Sequence, residues 1–248
     1  MEVKAEKVNP YDDVRPKTEQ VREMFDSIAP AYDFMNRAMT FSIDRLWRRR
    51  AVKMLRDVAH DEILDVATGT GDLAILLARR LRPKSVTGID LSEQMLDIAR
   101  KKADKAHIET DIKFFAADCL TLPMADESFD CVTVAYGVRN FEHLKDGYRE
   151  MLRVLRPGGT LCVIELSTPT STVIRPLYNF YTRRIIPFVG RLVSKDVRAY
   201  SYLPESIAAV PQRDEMTALM LEAGFATATF RPLTFGTCTI YIGKKSQA

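Results

Sequence analysis

The chain predicts a doubly wound α/β protein: a mostly parallel, seven-stranded sheet with helices on both faces and one antiparallel strand. Three features dictate this arrangement. From Glu62 onward, short apolar runs alternate with helical spacings of apolar residues. Pro157-Gly158-Gly159 separates a helix from the strand that follows. Only a few residues, including Pro232 and Gly236, lie between the last two strands, too short a link for a parallel crossover, so those strands pair as a hairpin.

Residues 1–17 hold Lys4, Lys7, Pro10, Asp12, Asp13 and Pro16 and read as a flexible N-terminal arm ahead of one domain over 18–248. From Thr18, the residues Val21, Met24, Phe25 and Ile28 recur at i, i+3, i+4 and i+7, a helical spacing that Pro30 is expected to end. A second helix is expected from Asp44 to Leu55, and the two make an N-terminal helical cap over 18–58. Glu62–Ala67 reads as a strand, Asp72–Leu81 as a helix, Ser85–Ile89 as a strand and Ser92–Ala103 as a helix. Ile112–Ala116 and Phe129–Ala135 are strands, Leu144–Leu155 is a helix and Thr160–Leu166 the next strand. This βαβα order implies parallel strands in one layer and crossover helices on either side. Residues 167–210 interrupt it as a helical insertion on the substrate side, rich in aromatics and arginine and punctuated by Pro169, Pro176, Pro187 and Pro204. A last helix, Gln212–Ala223 closed by Gly224, leads into the strands Ala226–Arg231 and Thr237–Ile242.

With 248 residues, 46% hydrophobic and 28% charged, the chain can bury a sizeable core. A net charge of +3 gives no warrant for nucleic-acid binding. Cys119, Cys131, Cys162 and Cys238 share no C-x-x-C spacing and read as reduced core thiols. With only His60, His107 and His143 beside them, no metal site is expected. Met1 to Lys17 lacks the apolar run of a secretory signal, and no stretch of about 18 apolar residues follows, so a cytoplasmic protein is expected.

The central motif is Asp65-Val-Ala-Thr-Gly69-Thr70-Gly71-Asp72. Glycines between a strand and a helix let the backbone approach a ligand, and the helix N-terminus supplies donors. Gly69-x-Gly71-x-x-Ala74 also fits the dinucleotide fingerprint, with Asp90 where a ribose-binding acid belongs. On the glycines alone, dehydrogenase and methyltransferase are nearly tied. Asp65 breaks the tie, because a carboxylate at the end of the first strand repels a pyrophosphate but favours an ammonium and a sulfonium. Asp90 can accept from both ribose hydroxyls, and Asp118 from an adenine amino group, with the Cys119 amide beside it. Three acids at successive strand ends form a cup for a cationic adenosine ligand, S-adenosylmethionine. Asp72 is assigned the plainer role of capping its helix.

The element order resembles the class I methyltransferase fold, a likeness of architecture and not of chemistry. From about Val21 to the C-terminus the sequence also resembles the ubiquinone/menaquinone biosynthesis C-methyltransferase family. The likeness rests on Phe25-Asp-x-Ile-Ala-x-x-Tyr32-Asp33-x-x-Asn36, Trp47-Arg48-Arg49, Asp65 to Asp72, Leu122-Pro123-Met-x-Asp126, Tyr136-Gly137-Val-Arg139-Asn140 and Tyr178-x-Phe180-Tyr181. Ala199-Tyr200-x-Tyr202-Leu203-Pro204-Glu205-Ser206-Ile207 is the narrowest of these signatures. Two departures stand out: Lys195, where the family usually has Gly, and Ala135, where relatives often have a Ser able to bond the cofactor.

The resemblance implies methylation of a ring carbon of a demethylated prenyl quinol, demethylmenaquinol to menaquinol in the commonest case, with the benzoquinol of ubiquinone biosynthesis as the alternative. Such a carbon attacks a sulfonium methyl well only when the neighbouring hydroxyl loses its proton. Arg139, after the fourth strand, is placed to stabilise the phenolate, a role that Asn140 and Tyr32 assist by orienting water and quinol. The competing reading of Arg139 is a surface salt bridge to Glu142 or Glu165. Phe34, Met35, Met39 and Phe41, with Leu177, Tyr178, Phe180, Tyr181, Ile185, Ile186 and Phe188, are expected to line a channel for the prenyl tail. Interleaved Arg175, Arg183, Arg184 and Arg191 suit transient contact with the anionic inner face of a membrane, or equally a solvated basic edge. Rival readings are a methyltransferase for another small molecule or RNA, an NAD(P) oxidoreductase, and an adenosine-ligand sensor. The absence of an N-P-P-[YFW] motif, the charge of Asp65 and the Arg139-Asn140 pair weigh against them in turn. The sequence is compatible with a homo-oligomer.

Overall fold

A computed structural model of the chain describes residues 3–11, 13–186, 188 and 197–247. Lys195, Arg191 and Pro187, all named above, lie outside the described residues, as does Asp12.

Seven strands form one sheet: β1 (Glu62–Val66), β2 (Ser85–Asp90), β3 (Asp111–Ala116), β4 (Phe129–Ala135), β5 (Leu155–Leu166), β6 (Thr227–Leu233) and β7 (Cys238–Lys244). Their order is β3-β2-β1-β4-β5-β7-β6. All neighbours run parallel except β7, which is antiparallel to both β5 and β6. The expected doubly wound sheet with one antiparallel strand is therefore present. Pro232 falls in β6, an edge strand, where its missing donor is harmless.

Alternate residues of the central strands face opposite layers. Leu64, Val66, Val132, Val134, Leu161 and Val163 pack on one side against helices α5 (Leu144–Val154) and α8 (Asp214–Ala223). Ile63, Val86, Cys131, Cys162 and Ile164 pack on the other against α2 (Asp44–Met54) and α3 (Asp72–Leu81). The four cysteines are free and buried, as their apolar settings require. A third cluster joins α1 (Lys17–Thr40) and α4 (Glu93–Ala106) to the insertion, through Met24, Ile28, Met35, Met95 and Tyr202. The insertion itself contains α6 (Ile174–Phe180), a π-helical turn over Tyr181–Ile185, and α7 (Val197–Ala209).

Three expectations are corrected. Pro30 does not end the first helix; α1 continues to Thr40 with Pro30 inside it. The proline removes one backbone bond, but Met24, Ile28, Ala29 and Met35 are buried on both sides of it, and that packing outweighs the local break. Pro157-Gly158-Gly159 separates nothing, since β5 begins at Leu155 directly after α5 and absorbs the motif in an irregular register with β4. The start of the N-terminal segment, Val3 to Lys7, is not a loose arm. Val3 and Ala5 enter the core beside Val138 and Phe141, Lys4–Lys7 forms a 3-10 turn, and Glu6 accepts a bond from the Leu144 amide at 2.8 Å.

Candidate active site

In an open parallel sheet, a crevice forms where neighbouring strands send their connections to opposite faces. Here that point lies between β1 and β4. Both chains leave the sheet through a left-handed residue, Ala67 (φ 50°) after β1 and Tyr136 (φ 60°) after β4. Gly69 (φ 56°) and Gly71 (φ 77°) turn the chain from β1 into α3. A Cβ on Gly71 would stand 2.9 Å from the Ala99 Cβ, so this glycine serves helix packing, while a Cβ on Gly69 would meet only Tyr32, at 4.0 Å.

The predicted acids gather around this turn. Asp65 is 1% exposed and accepts from Thr133 Oγ1 at 2.5 Å and Thr68 Oγ1 at 2.6 Å. Burial raises its carboxyl to about 6, against the lowering effect of those bonds. Asp90 accepts from the Gly69 amide at 2.8 Å and the Ser92 amide at 3.0 Å, and burial raises its pKa also. Asp118 accepts from the Leu120 amide at 2.9 Å. A cavity of about 60 Å³ is lined by Gly69, Asp90, Asp118 and Cys119, and adjoins one of about 40 Å³ lined by Asp65, Gly69 and Thr70. Among the described residues, no lysine or arginine lines the first of these cavities.

The roles of two motif residues differ from expectation. Asp72 caps nothing: Gly71 holds the N-cap position, and the Asp72 carboxylate instead pairs with Lys102 and, at 3.1 Å, with Arg48. The Thr70 hydroxyl donates to Asp33 at 2.6 Å and receives Lys102 Nζ at 3.0 Å. Together with Lys102–Asp33 at 2.9 Å and Ser92–Asp26 at 2.6 Å, these bonds fasten α1 over the turn as a roof. Sequence reasoning missed Lys102, because a lone lysine on a helix carries no signal until α1 is folded against it.

A third, larger cavity of about 250 Å³ opens beneath the same roof. Met24, Ile28, Met35, Met39, Ile186 and Leu203 give it an apolar wall, and Arg139 lines it. Tyr32, Tyr136 and Asn140 line both this cavity and the acid-lined one. Of the expected tail channel, Met35, Met39, Phe41, Tyr178, Tyr181 and Ile186 are in the wall, whereas Phe34, Leu177, Phe180, Ile185 and Phe188 are exposed on the outside. The insertion follows one face of its helices inward and leaves the other apolar and bare.

Arg139 lies in the 3-10 turn Val138–Asn140 that follows β4. It does pair with Glu165, at 2.8 Å, but the pair is buried and not on the surface, with Glu165 1% exposed. Glu142 is engaged elsewhere, accepting from Thr18. The same Arg139 nitrogen donates to the Tyr136 carbonyl, and its Nε has no partner. Lys17, itself buried, donates to the Arg139 carbonyl at 3.3 Å and to that of Ala5 at 2.6 Å, and burial lowers it to about 8. Tyr202 Oη donates to Asn140 Oδ1 at 3.1 Å. Burial raises the hydroxyls of Tyr32, Tyr202 and Tyr178, the last to about 12, so these groups around the guanidinium stay neutral.

Residues 13–245 match the model of the ubiE/COQ5 methyltransferase family. The chain belongs to that family. A Porphyromonas gingivalis protein named demethylmenaquinone methyltransferase is 49% identical over 97% of this chain and 98% of its own length. A Geotalea daltonii protein named ubiquinone/menaquinone biosynthesis C-methyltransferase is 44% identical over 92% of this chain and 97% of its own. Among solved structures, a Thermotoga maritima S-adenosylmethionine-dependent methyltransferase superposes with a TM-score of 0.63 at 19% identity, covering 90% of this chain and 99% of that one. The [4+2]-cyclase SpnF superposes with a TM-score of 0.62 at 18% identity, over 95% and 98%. At such identity the ubiE/COQ5 chain shares a fold with both and its chemistry with neither by that fact alone. Among the described residues, no helix is long and apolar enough to cross a membrane.

Proposed function

We propose that the protein methylates a ring carbon of demethylmenaquinol, using S-adenosylmethionine and producing menaquinol. The observation that carries this reading is the junction of two unlike cavities. A small acid-lined one and a large apolar one share Phe25, Tyr32, Tyr136 and Asn140 as their common wall. A cationic adenosine compound suits the first, where Asp90 and Asp118 retain free lone pairs and no basic side chain competes. A ring with a long apolar tail suits the second.

When bound, S-adenosylmethionine supplies an electrophilic methyl on a sulfonium. Asp65, whose ionised form burial disfavours, supports the charge of such a ligand by gaining from it a counter-charge. Gly69 and the Asp90 carboxylate it bonds hold the ribose side, and Asp118 with the Cys119 amide holds the adenine. On the substrate side, loss of the proton from the hydroxyl beside the acceptor carbon drives electrons onto that carbon. Arg139 cannot take this proton at neutral pH, since guanidinium stays charged, so its part is to stabilise the oxyanion while water carries the proton away. Glu165 holds one edge of the guanidinium and leaves Nε without a partner. Asn140, fixed by Tyr202, and Tyr32 position the ring between the two cavities. The carbon–methyl bond forms as the sulfur–methyl bond breaks, and the ring hydrogen leaves as a proton to restore aromaticity.

The exposed apolar residues Leu177, Phe180 and Phe188, interleaved with exposed Arg175, Arg183 and Arg184, support docking of the tail cavity's mouth on an anionic bilayer. Incubation with methyl-labelled donor and demethylmenaquinol tests the reaction: label must enter the lipid product. Label entering only the corresponding benzoquinol would reassign the substrate, and label in neither lipid would refute the quinol reading.

A further inference from the structure

Among the described residues, three buried side-chain polar atoms have no hydrogen-bond partner: Arg37 Nε, Arg139 Nε and Tyr136 Oη. Arg37 lines the small cavity beside Gly69 and Arg139 the large apolar one, while Tyr136 lines both of these and the acid-lined cavity as well. Two other polar groups of the large cavity's wall are already engaged, Thr182 with the Tyr178 carbonyl and Tyr202 with Asn140. Folded proteins rarely leave a buried donor unpaired unless a ligand completes it. Tyr136 carries a second cost, because its φ of 60° is one that non-glycine residues seldom adopt. Its ring is also held firmly. The Trp47 ring centre lies 6.5 Å away, and the Arg48 guanidinium sits 5.8 Å over its face, itself clamped by Asp44 and Asp72. Burial raises the hydroxyl well above its ordinary pKa, so it remains a donor across the neutral range.

We propose that the Tyr136 hydroxyl donates a hydrogen bond to the second ring oxygen of the substrate, opposite the oxygen stabilised by Arg139, and so selects rings bearing two para oxygens. The inference rests on the quinol reading above. A para-dioxygenated ring satisfies both orphan donors at once. A ring with one oxygen leaves the Tyr136 hydroxyl buried and unpaired, and discrimination of that kind is stronger than an apolar wall provides.

Trp47 is the sole tryptophan of the sequence and lines the cavity, so its emission reports ring binding directly. Two probes with the same short prenyl tail are titrated in the presence of S-adenosylhomocysteine: a 1,4-naphthalenediol and a naphthol keeping only the hydroxyl beside the acceptor carbon. The wild type should bind the diol roughly fivefold to tenfold more tightly than the naphthol, the worth of one neutral hydrogen bond. Tyr136→Phe should weaken the diol to the level of the naphthol, raise KM more than it lowers kcat, and weaken S-adenosylhomocysteine, whose cavity the same ring lines, by less than it weakens the diol. Its thermal stability should be equal or higher, since the change deletes an unpaired hydroxyl. A Tyr136→Phe variant that keeps the wild-type preference for the diol overturns this inference alone. A wild type that binds neither ring overturns the quinol reading and this inference with it.

Discussion

Asp65→Asn probes the charge at the centre of the donor site. The carboxyl is 1% exposed, and its burial raises it from 3.8 to about 6. A displacement of that size corresponds to about 3 kcal/mol favouring the protonated form in the fold. Because the folded value is raised above the unfolded one, the penalty is absent below about pH 4 and grows as pH climbs through about 6. Above that, an ionised Asp65 is a load on the unliganded protein. Asparagine stays neutral, accepts from one of the hydroxyls of Thr68 and Thr133 and donates to the other. The variant's unfolding free energy at pH 8 should therefore exceed the wild type's by up to about 3 kcal/mol. The gap should close as pH falls toward 4.

Binding runs the other way. A cation that returns Asp65 to its ordinary value gains the same ~3 kcal/mol, about 100-fold in Kd, once the carboxyl is ionised. Wild-type affinity for S-adenosylmethionine should strengthen with pH up to about 6 and then level, whereas Asp65→Asn should be about 100-fold weaker at pH 8 and flat with pH. Isothermal titration and thermal unfolding from pH 5 to 8 measure both halves. A variant that binds as tightly as wild type at pH 8, or a wild-type affinity that is level from pH 5 to 7, would refute the assignment of Asp65 as the group that senses the donor's charge.

Arg139→Ala should retain S-adenosylhomocysteine binding in titration while kcat falls about 100-fold or more, as for loss of an oxyanion donor. Glu165→Gln strands the guanidinium without its counter-charge, so unfolding should cost about 3 kcal/mol less, and Arg139→Met with Glu165→Met should regain the stability but not the turnover. Lys102→Met releases Asp33, Thr70 and Asp72 together, and stopped-flow measurement should show S-adenosylhomocysteine leaving roughly tenfold faster with little change in its association rate. Arg183→Gln with Arg184→Gln should weaken sedimentation with anionic vesicles by about tenfold or more, at ~1 kcal/mol per basic residue, and leave binding to neutral vesicles unchanged.

The sheet was legible in the chain because each strand is a short apolar run and each helix has its own period. Even the antiparallel β7 followed from the brevity of the link before it. The gathering of the three acids was legible for a related reason. Its acids stand at the carboxyl ends of successive strands, so naming the strands names the positions of Asp65, Asp90 and Asp118. Local rules failed where tertiary packing overrode them. Pro30 reads as a stop, yet α1 runs through it because both halves bury apolar side chains against α4 and the insertion. The Asp72 side chain reads as a cap, yet two cations reach it from α2 and α4.

The surroundings of Arg139 and Asn140 are assembled from contacts that no local window contains. Arg139 takes its orientation from Glu165 on the next strand and from Lys17, 122 residues earlier in the chain. Asn140 takes its orientation from Tyr202 in the insertion. This explains why a polar N-terminus is folded tightly here. Lys17 is desolvated enough for its ammonium to fall to about 8, a cost to the fold, and it meets that cost by donating to the backbone of Ala5 and of Arg139. Val3 and Ala5, two small apolar residues within a charged segment, seal that contact against Val138. The segment is thus the rear support of the turn that carries Arg139, and its composition alone could not reveal this, since only a few of its residues are buried.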